Sequence, residues 1–232
     1  GKSVLVAAQE GGFMGGAVGE VHGAKITGLL ERAQDERPAG VLLLIESGGV
    51  RLHEANAGLI AVSEIIRALV EARQAGVAVL ALVGGACGCF GGMAIVARCC
   101  DAVILSEEGR LGLSGPEVIE TVMGAEEFDS RDRALVWRTT GGKHRYLLGE
   151  ADALVADDIA AFRAAALQHL VPKPIDARAL EAEHALLAGR LERFGDCADA
   201  YEIWRRLGIT DVERLPLLET EEFLAATAGR GR

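Results

Sequence analysis

The chain has 232 residues, half of them apolar, and a formal net charge of −10. That length and apolar content can bury a full core, while the acidic balance and the lack of a Lys/Arg cluster set aside nucleic acid and membranes as partners. No run approaches the ~18 apolar residues of a membrane span, and five cysteines, an odd number with Cys99 and Cys100 adjacent, fit a cytoplasmic protein.

The opening, GKSVLVAAQE, shows no secretory leader, is already strand-like over 4–8, and points to further residues upstream. Val21, Ile26, Leu29 and Leu30 put a weak apolar stripe on a helix over 18–33. The run VLLLI at 41–45 reads as a strand buried on both faces. Leu52, Ala55, Leu59, Val62, Ile65, Ile66, Leu69 and Val70 recur at helical spacing over 52–73, and Gly76 stops that helix. A second buried strand follows at 77–83, then a buried helix at 93–100 and a third strand at 102–105. Strands separated by helices imply parallel pairing through crossovers. Residues 1–160 therefore form an α/β core. The remainder, 161–232, reads as a helical extension: a helix over 157–170 ended by VPKP, helical stretches at 179–194 and 198–207, and a polar tail. Its apolar stripes call for a surface, either this core or a partner.

Two glycine pairs stand where strands give way to helices: ESGGVR at 46–51 and CFGGM at 89–93. Such junctions let backbone N–H groups point outward without a Cβ in the way, at the positive end of a helix dipole. They suit a phosphate, a carboxylate or a transient oxyanion; alternatively, glycine merely permits a tight turn or close packing. Two of them at strand ends of one parallel sheet favour a site, because ligands bind beyond the carboxyl ends of such strands. A nucleotide site is disfavoured, since GGACGCFGG lacks the lysine of a phosphate loop and no strand-linked GxGxxG occurs. Cys87, Cys89, Cys99 and Cys100 lie in apolar runs without metal-ligand spacing and read as core residues.

GGACGCFGGMAIVARCCDAVILSEEGRLGLSGPEVIE (84–120) and YLLGEADALVADD (146–158) resemble the crotonase superfamily. More narrowly, FMGGAVGEVHGAKITGLLERA (13–33) and ESGGVRLHEANAGL (46–59) are similar to the carboxyltransferase branch of acyl-CoA carboxylases. EANAGL, CFGGM, LGLSGPEVIE and EFDSRDRALVW fit, within that branch, the beta-subunit family of biotin-independent malonate decarboxylases. The resemblance covers about residues 1–160. It implies a crotonase-like (ClpP/crotonase) spiral of ββα units with a C-terminal helical extension. It places one oxyanion-hole N–H on Gly92, with Gly91 beside it, and the other around Gly49 and Val50. Gly48, Arg51, Gly115 and Pro116 become candidate substrate-binding positions. Arg51 is also read as ion-paired to a nearby acid, since a firm grip on the departing carboxylate would stabilise the ground state. Where hydratases of the superfamily carry a catalytic glutamate, this chain has Ile95; their second glutamate falls near Glu117. Hydration is disfavoured, and an enolate left by decarboxylation fits.

The implied reaction converts a malonyl thioester on an acyl carrier protein to the acetyl thioester. The substrate rides on the carrier's phosphopantetheine-type prosthetic group, and this chain binds no cofactor or metal itself. A second crotonase-like chain, the gamma subunit, is the implied partner. The alternatives are the beta subunit of a biotin-dependent carboxyltransferase, which uses the same enolate in reverse, and a non-catalytic partner subunit. The proton donor to the enolate is open: His53 and water are candidates, with a structural role for His53 equally at hand. His144 and Arg145 either contact the phosphopantetheine or its carrier, or sit in a solvated loop.

Overall fold

The structure is a computed structural model and describes residues 1–230. Its first half runs β1 (Val4–Ala8), α1 (Glu20–Glu36), β2 (Gly40–Ile45), α2 (Ala57–Gln74), β3 (Val79–Val83), β4 (Cys89–Phe90), α3 (Gly92–Cys99), β5 (Ala102–Ser106) and β6 (Leu111–Gly112). Then come α4 (Pro116–Met123), α5 (Arg133–Thr140), α6 (Gly142–Leu147), β7 (Ala153–Val155), α7 (Ile159–His169), α8 (Ala177–Phe194), α9 (Ala200–Arg206) and α10 (Thr220–Ala226). Five strands form one parallel sheet in the order β1-β2-β3-β5-β7, and β4 pairs with β6 in a small second sheet.

Every residue of β3 and β5 is buried, as their unbroken apolar runs require. One face of the sheet packs on α1, α2 and α3 through Leu30, Ile65, Leu69 and Met93. The other packs on α7 through Ala165, Ala166 and Leu170. Asp101, 2 % exposed, ties three segments together: it accepts from Val79 N–H (2.7 Å), Arg73 Nε (3.1 Å) and Lys173 N–H (2.7 Å).

Several expectations need correction. VLLLI is not buried on both faces: on β2, Leu42 is half-buried and Leu44 is exposed. The second helix does not begin at Leu52: residues 52–54 make one 3-10 turn, Ala55 sits at φ 50°, and α2 starts at Ala57. Leu52 is consequently 88 % exposed and off the apolar stripe. The polar tail contains α10, whose Phe223 is wholly buried, and Ile209, Val212 and Leu215 join the same core. Charged neighbours mask these residues in a composition reading. Finally, His144 and Arg145 are not in a solvated loop. His144 is 5 % exposed on α6 and accepts at Nδ1 from Trp204 Nε1 (3.2 Å), while Arg145 binds Glu150 (2.9 Å) and Thr139 O (2.9 Å). Through Trp204 and Phe223, α9 and α10 pack on the core, whereas α8 buries none of its side chains and keeps Leu180, Leu187 and Leu191 exposed.

The His144 packing fixes a pH dependence. Burial, helped by the charge of Arg145, pulls the imidazole down to about 3 from 6.5. The unfolded chain therefore takes up a proton that the folded chain refuses, and stability falls as pH drops below 6.5. The contribution is complete above 6.5, and roughly 2 kcal/mol of it is lost by pH 5. Urea titrations at pH 7 and pH 5 should show a smaller loss for His144→Gln, which keeps an acceptor for Trp204 but does not titrate. An equal loss in both proteins would contradict this.

Candidate active site

The chain leaves β2 through 46–51 and leaves β3 through 84–91, and backbone bonds stitch the two exits together. Ser47 N–H donates to Gly88 O (2.7 Å) and Phe90 N–H to Ser47 O (2.8 Å). Gly49 and Gly91 meet where they cross: a Cβ on Gly91 would lie 3.0 Å from Gly49 Cα. Gly91 also holds φ 61°, a left-handed value that favours glycine. The contact explains glycine at 91 by space and by turn geometry, whereas at 49 a Cβ would meet nothing and it is the φ of 141° that favours glycine. Gly92 has a different reason. Its absent Cβ would sit 2.5 Å from Val62 Cγ2, so glycine there lets α3 close on α2.

Hydrogen bonding sorts the candidate donors. Gly91 N–H is consumed by Leu113 O (3.0 Å) and Gly48 N–H by Gly15 O (2.8 Å), while Gly49 N–H reaches Ser47 Oγ (3.3 Å). Gly91 is therefore a turn residue rather than a donor. The amides of Val50, and of Gly92 and Met93 in the first turn of α3, have no acceptor among the described residues. Their directions follow from peptide planarity, because N–H and C=O of a trans peptide point opposite ways. Gly49 C=O accepts from Val18 N–H (2.9 Å), which turns Val50 N–H away from Val18. Gly91 C=O accepts from Ala94 N–H (3.1 Å) inside α3, which turns Gly92 N–H out of the helix, at its positive end. Two open amides on adjoining junctions can stabilise an oxygen that gains negative charge.

The neighbouring candidates frame these donors. Arg51 does not stand free: its Nε donates to Ala17 O (3.0 Å) and its guanidinium pairs with Glu54 Oε1 (2.9 Å). Glu54 Oε2 in turn accepts from Glu20 N–H (2.7 Å) at the start of α1. That backbone bond, reinforced by Arg51, holds the Glu54 carboxyl below its usual range. Arg51 and Glu54 so fix the loop that carries Val50. Gly115 and Pro116 are buried at the start of α4, and a Cβ on Gly115 would come within 3.9 Å of the Phe90 ring, whose residue precedes the glycine pair. Ile95 is exposed on α3 and offers no proton. His53 is exposed and lies 3.8 Å from Glu54. Ser47, Glu54, Phe90 and Leu113 carry no sequence signal of their own. They act through packing and main-chain bonds.

Burial raises the Cys89 and Cys100 thiols far above their ordinary range, so neither is a thiolate. Among the described residues no group of three or more His, Cys, Asp or Glu could hold a metal ion, and no helix is long and apolar enough to cross a membrane.

A parallel sheet with a glycine-led helix at its carboxyl edge and a small second sheet beside it is the architecture of carboxyltransferases. The chain belongs to the carboxyl transferase domain family, whose model matches residues 1–182. It is 40 % identical, over 97 % of its length and 77 % of the relative's, to the malonyl-S-ACP:biotin-protein carboxyltransferase MADC of Malonomonas rubra. Among solved structures it is similar to the Pseudomonas malonate decarboxylase hetero-tetramer in complex with malonate, with 42 % identity and a TM-score of 0.76, covering 89 % of this chain and 76 % of that one. The Pseudomonas malonate decarboxylase MdcD-MdcE hetero-dimer gives 41 % identity and a TM-score of 0.68, covering 81 % of each chain.

Proposed function

We propose that this chain is the crotonase-like beta-type subunit of a malonate decarboxylase, acting on a malonyl thioester carried by the phosphopantetheine-type group of an acyl carrier protein. The observation that carries the reading is the pair of open amides, Val50 and Gly92, brought together by the contact of Gly49 with Gly91. The bond between C2 and the carboxylate breaks and carbon dioxide leaves. The electron pair passes into an enolate whose charge collects on the thioester oxygen. Val50 N–H and Gly92 N–H donate to that oxygen, each worth about 3 kcal/mol in the transition state. C2 then takes a proton to give the acetyl thioester. Gly48, Gly91, Arg51, Gly115 and Pro116 shape the walls around the donors. A second crotonase-like chain of the gamma type completes the cleft, and the complex is cytoplasmic. The likeness to both Pseudomonas decarboxylase structures supports this.

A second reading has its own support, because the Malonomonas relative is named for transfer to a biotin protein. In that case the carbon dioxide equivalent is handed to biotin rather than released. The readings part in one assay. The assembled complex should release carbon dioxide from malonyl thioester with no biotin, metal or nucleotide added, and neither avidin nor a chelator should slow it. Abolition by avidin would favour the biotin-dependent reading instead.

A further inference from the structure

We infer that Glu46 is a positioning residue for the oxyanion site, holding the two donor loops in register through the backbone of Ala86 and Cys87. This deepens the proposed function and rests on it. Glu46 is the first residue of the loop that carries Val50, yet its side chain serves the other loop. Oε1 accepts from Ala86 N–H (2.9 Å) and Cys87 N–H (3.2 Å). Successive N–H groups converging on one oxygen form an anion-binding concavity of the kind a left-handed residue opens, and Gly85 supplies that residue at φ 80°.

Glycines wall the slot. A Cβ on Gly11 would lie 2.5 Å from the Glu46 carboxyl carbon, and one on Gly85 would lie 2.9 Å from Oε1. The loop needs such a fastening, because Gly85, Gly88 and Gly91 all sit at positive φ and leave 84–91 with little intrinsic stiffness. Gly92 follows directly on that segment. A donor displaced by ~1 Å can forfeit a factor of about 100 in rate. Glu46 therefore acts through Gly92 without touching substrate.

The test compares Glu46→Ala and Glu46→Gln in the assembled complex, with hydrogen exchange of the 84–92 segment read alongside kinetics. Glu46→Ala should lower kcat about 10- to 100-fold with KM changed less than about twofold, and the 84–92 amides should exchange faster. Glu46→Gln keeps the acceptor and should restore both readouts to near the wild-type values. Equal damage from Gln and Ala would overturn the inference, since charge and not the acceptor would then matter. Unchanged exchange in Glu46→Ala would overturn the fastening, and faster exchange with undiminished kcat would overturn its catalytic coupling. Failure of the parent reading shows separately, as a wild-type complex that does not decarboxylate malonyl thioester.

Discussion

A Gly92→Pro, Val62→Ala double variant, assembled with its partner, should decarboxylate at least about 100-fold more slowly than Val62→Ala alone. Proline deletes the one atom at issue, the amide hydrogen of residue 92, and proline is tolerated in the first turn of a helix. Gly91 at ψ −136° keeps clear of the compact conformation that a following proline disfavours. The second substitution is needed because any Cβ at residue 92 would crowd Val62 at 2.5 Å. Without it, a fold defect and a lost donor would look alike. Matching melting temperatures for the double variant and Val62→Ala would show that the frame survives. A folded double variant with near-normal kcat would remove Gly92 from the oxyanion site.

The isolated chain should be nearly inactive, and activity should appear when the second crotonase-like chain is added. The segments that flank the donors end in apolar side chains facing solvent: Leu52 after Arg51, Leu113 beside Gly91, and Val118, Val122 and Met123 on α4. Val122 is 79 % exposed and Leu113 69 %. Large apolar side chains left exposed on these segments are what an interaction surface presents, and an obligate interface commonly buries ~2,000 Å² or more. Val122→Asp should therefore block assembly and activity together while leaving the chain folded. Light scattering and turnover of the isolated chain decide the point: a stable, fully active monomer would contradict it.

The sheet was legible because its strands announce themselves. VAVLALV is buried on both faces, VLLLI fully on one face only, with Leu42 half-buried and Leu44 exposed on the other, and the helices between them force parallel pairing. The two-residue strands β4 and β6 and the short β7 have no such pattern, and α4, α5 and α6, of eight, eight and six residues, are too short for a stripe to repeat. Capping could have found more. Asp132, Asp158, Asp176 and Asp199 each accept from a backbone N–H at the start of α5, α7, α8 and α9, a signal that periodicity alone passes over. At the proposed site, the glycine pairs mark two junctions that the structure brings together, but letters cannot say which amide is spent. That Gly91 donates to Leu113 follows from the register of β4 beside β6 and its continuation, while Gly92 has no acceptor among the described residues. Arg51 presented a similar ambiguity. Its partner, Glu54, lies three residues on, but only the break in the helix at Ala55 brings the two carboxyl oxygens between Arg51 and the start of α1.

The central claim is that Val50 and Gly92 hold an enolate oxygen, and binding of an enolate mimic tests it most directly. A thioether analogue bearing a nitronate in place of the acetyl-thioester enolate can be titrated against the acetyl thioester on the assembled complex. The wild-type complex should prefer the nitronate by about 100-fold or more, as expected for a transition-state mimic. The Gly92→Pro, Val62→Ala complex should lose most of that preference while binding the acetyl thioester as Val62→Ala does. Equal preference in the two complexes would contradict the account.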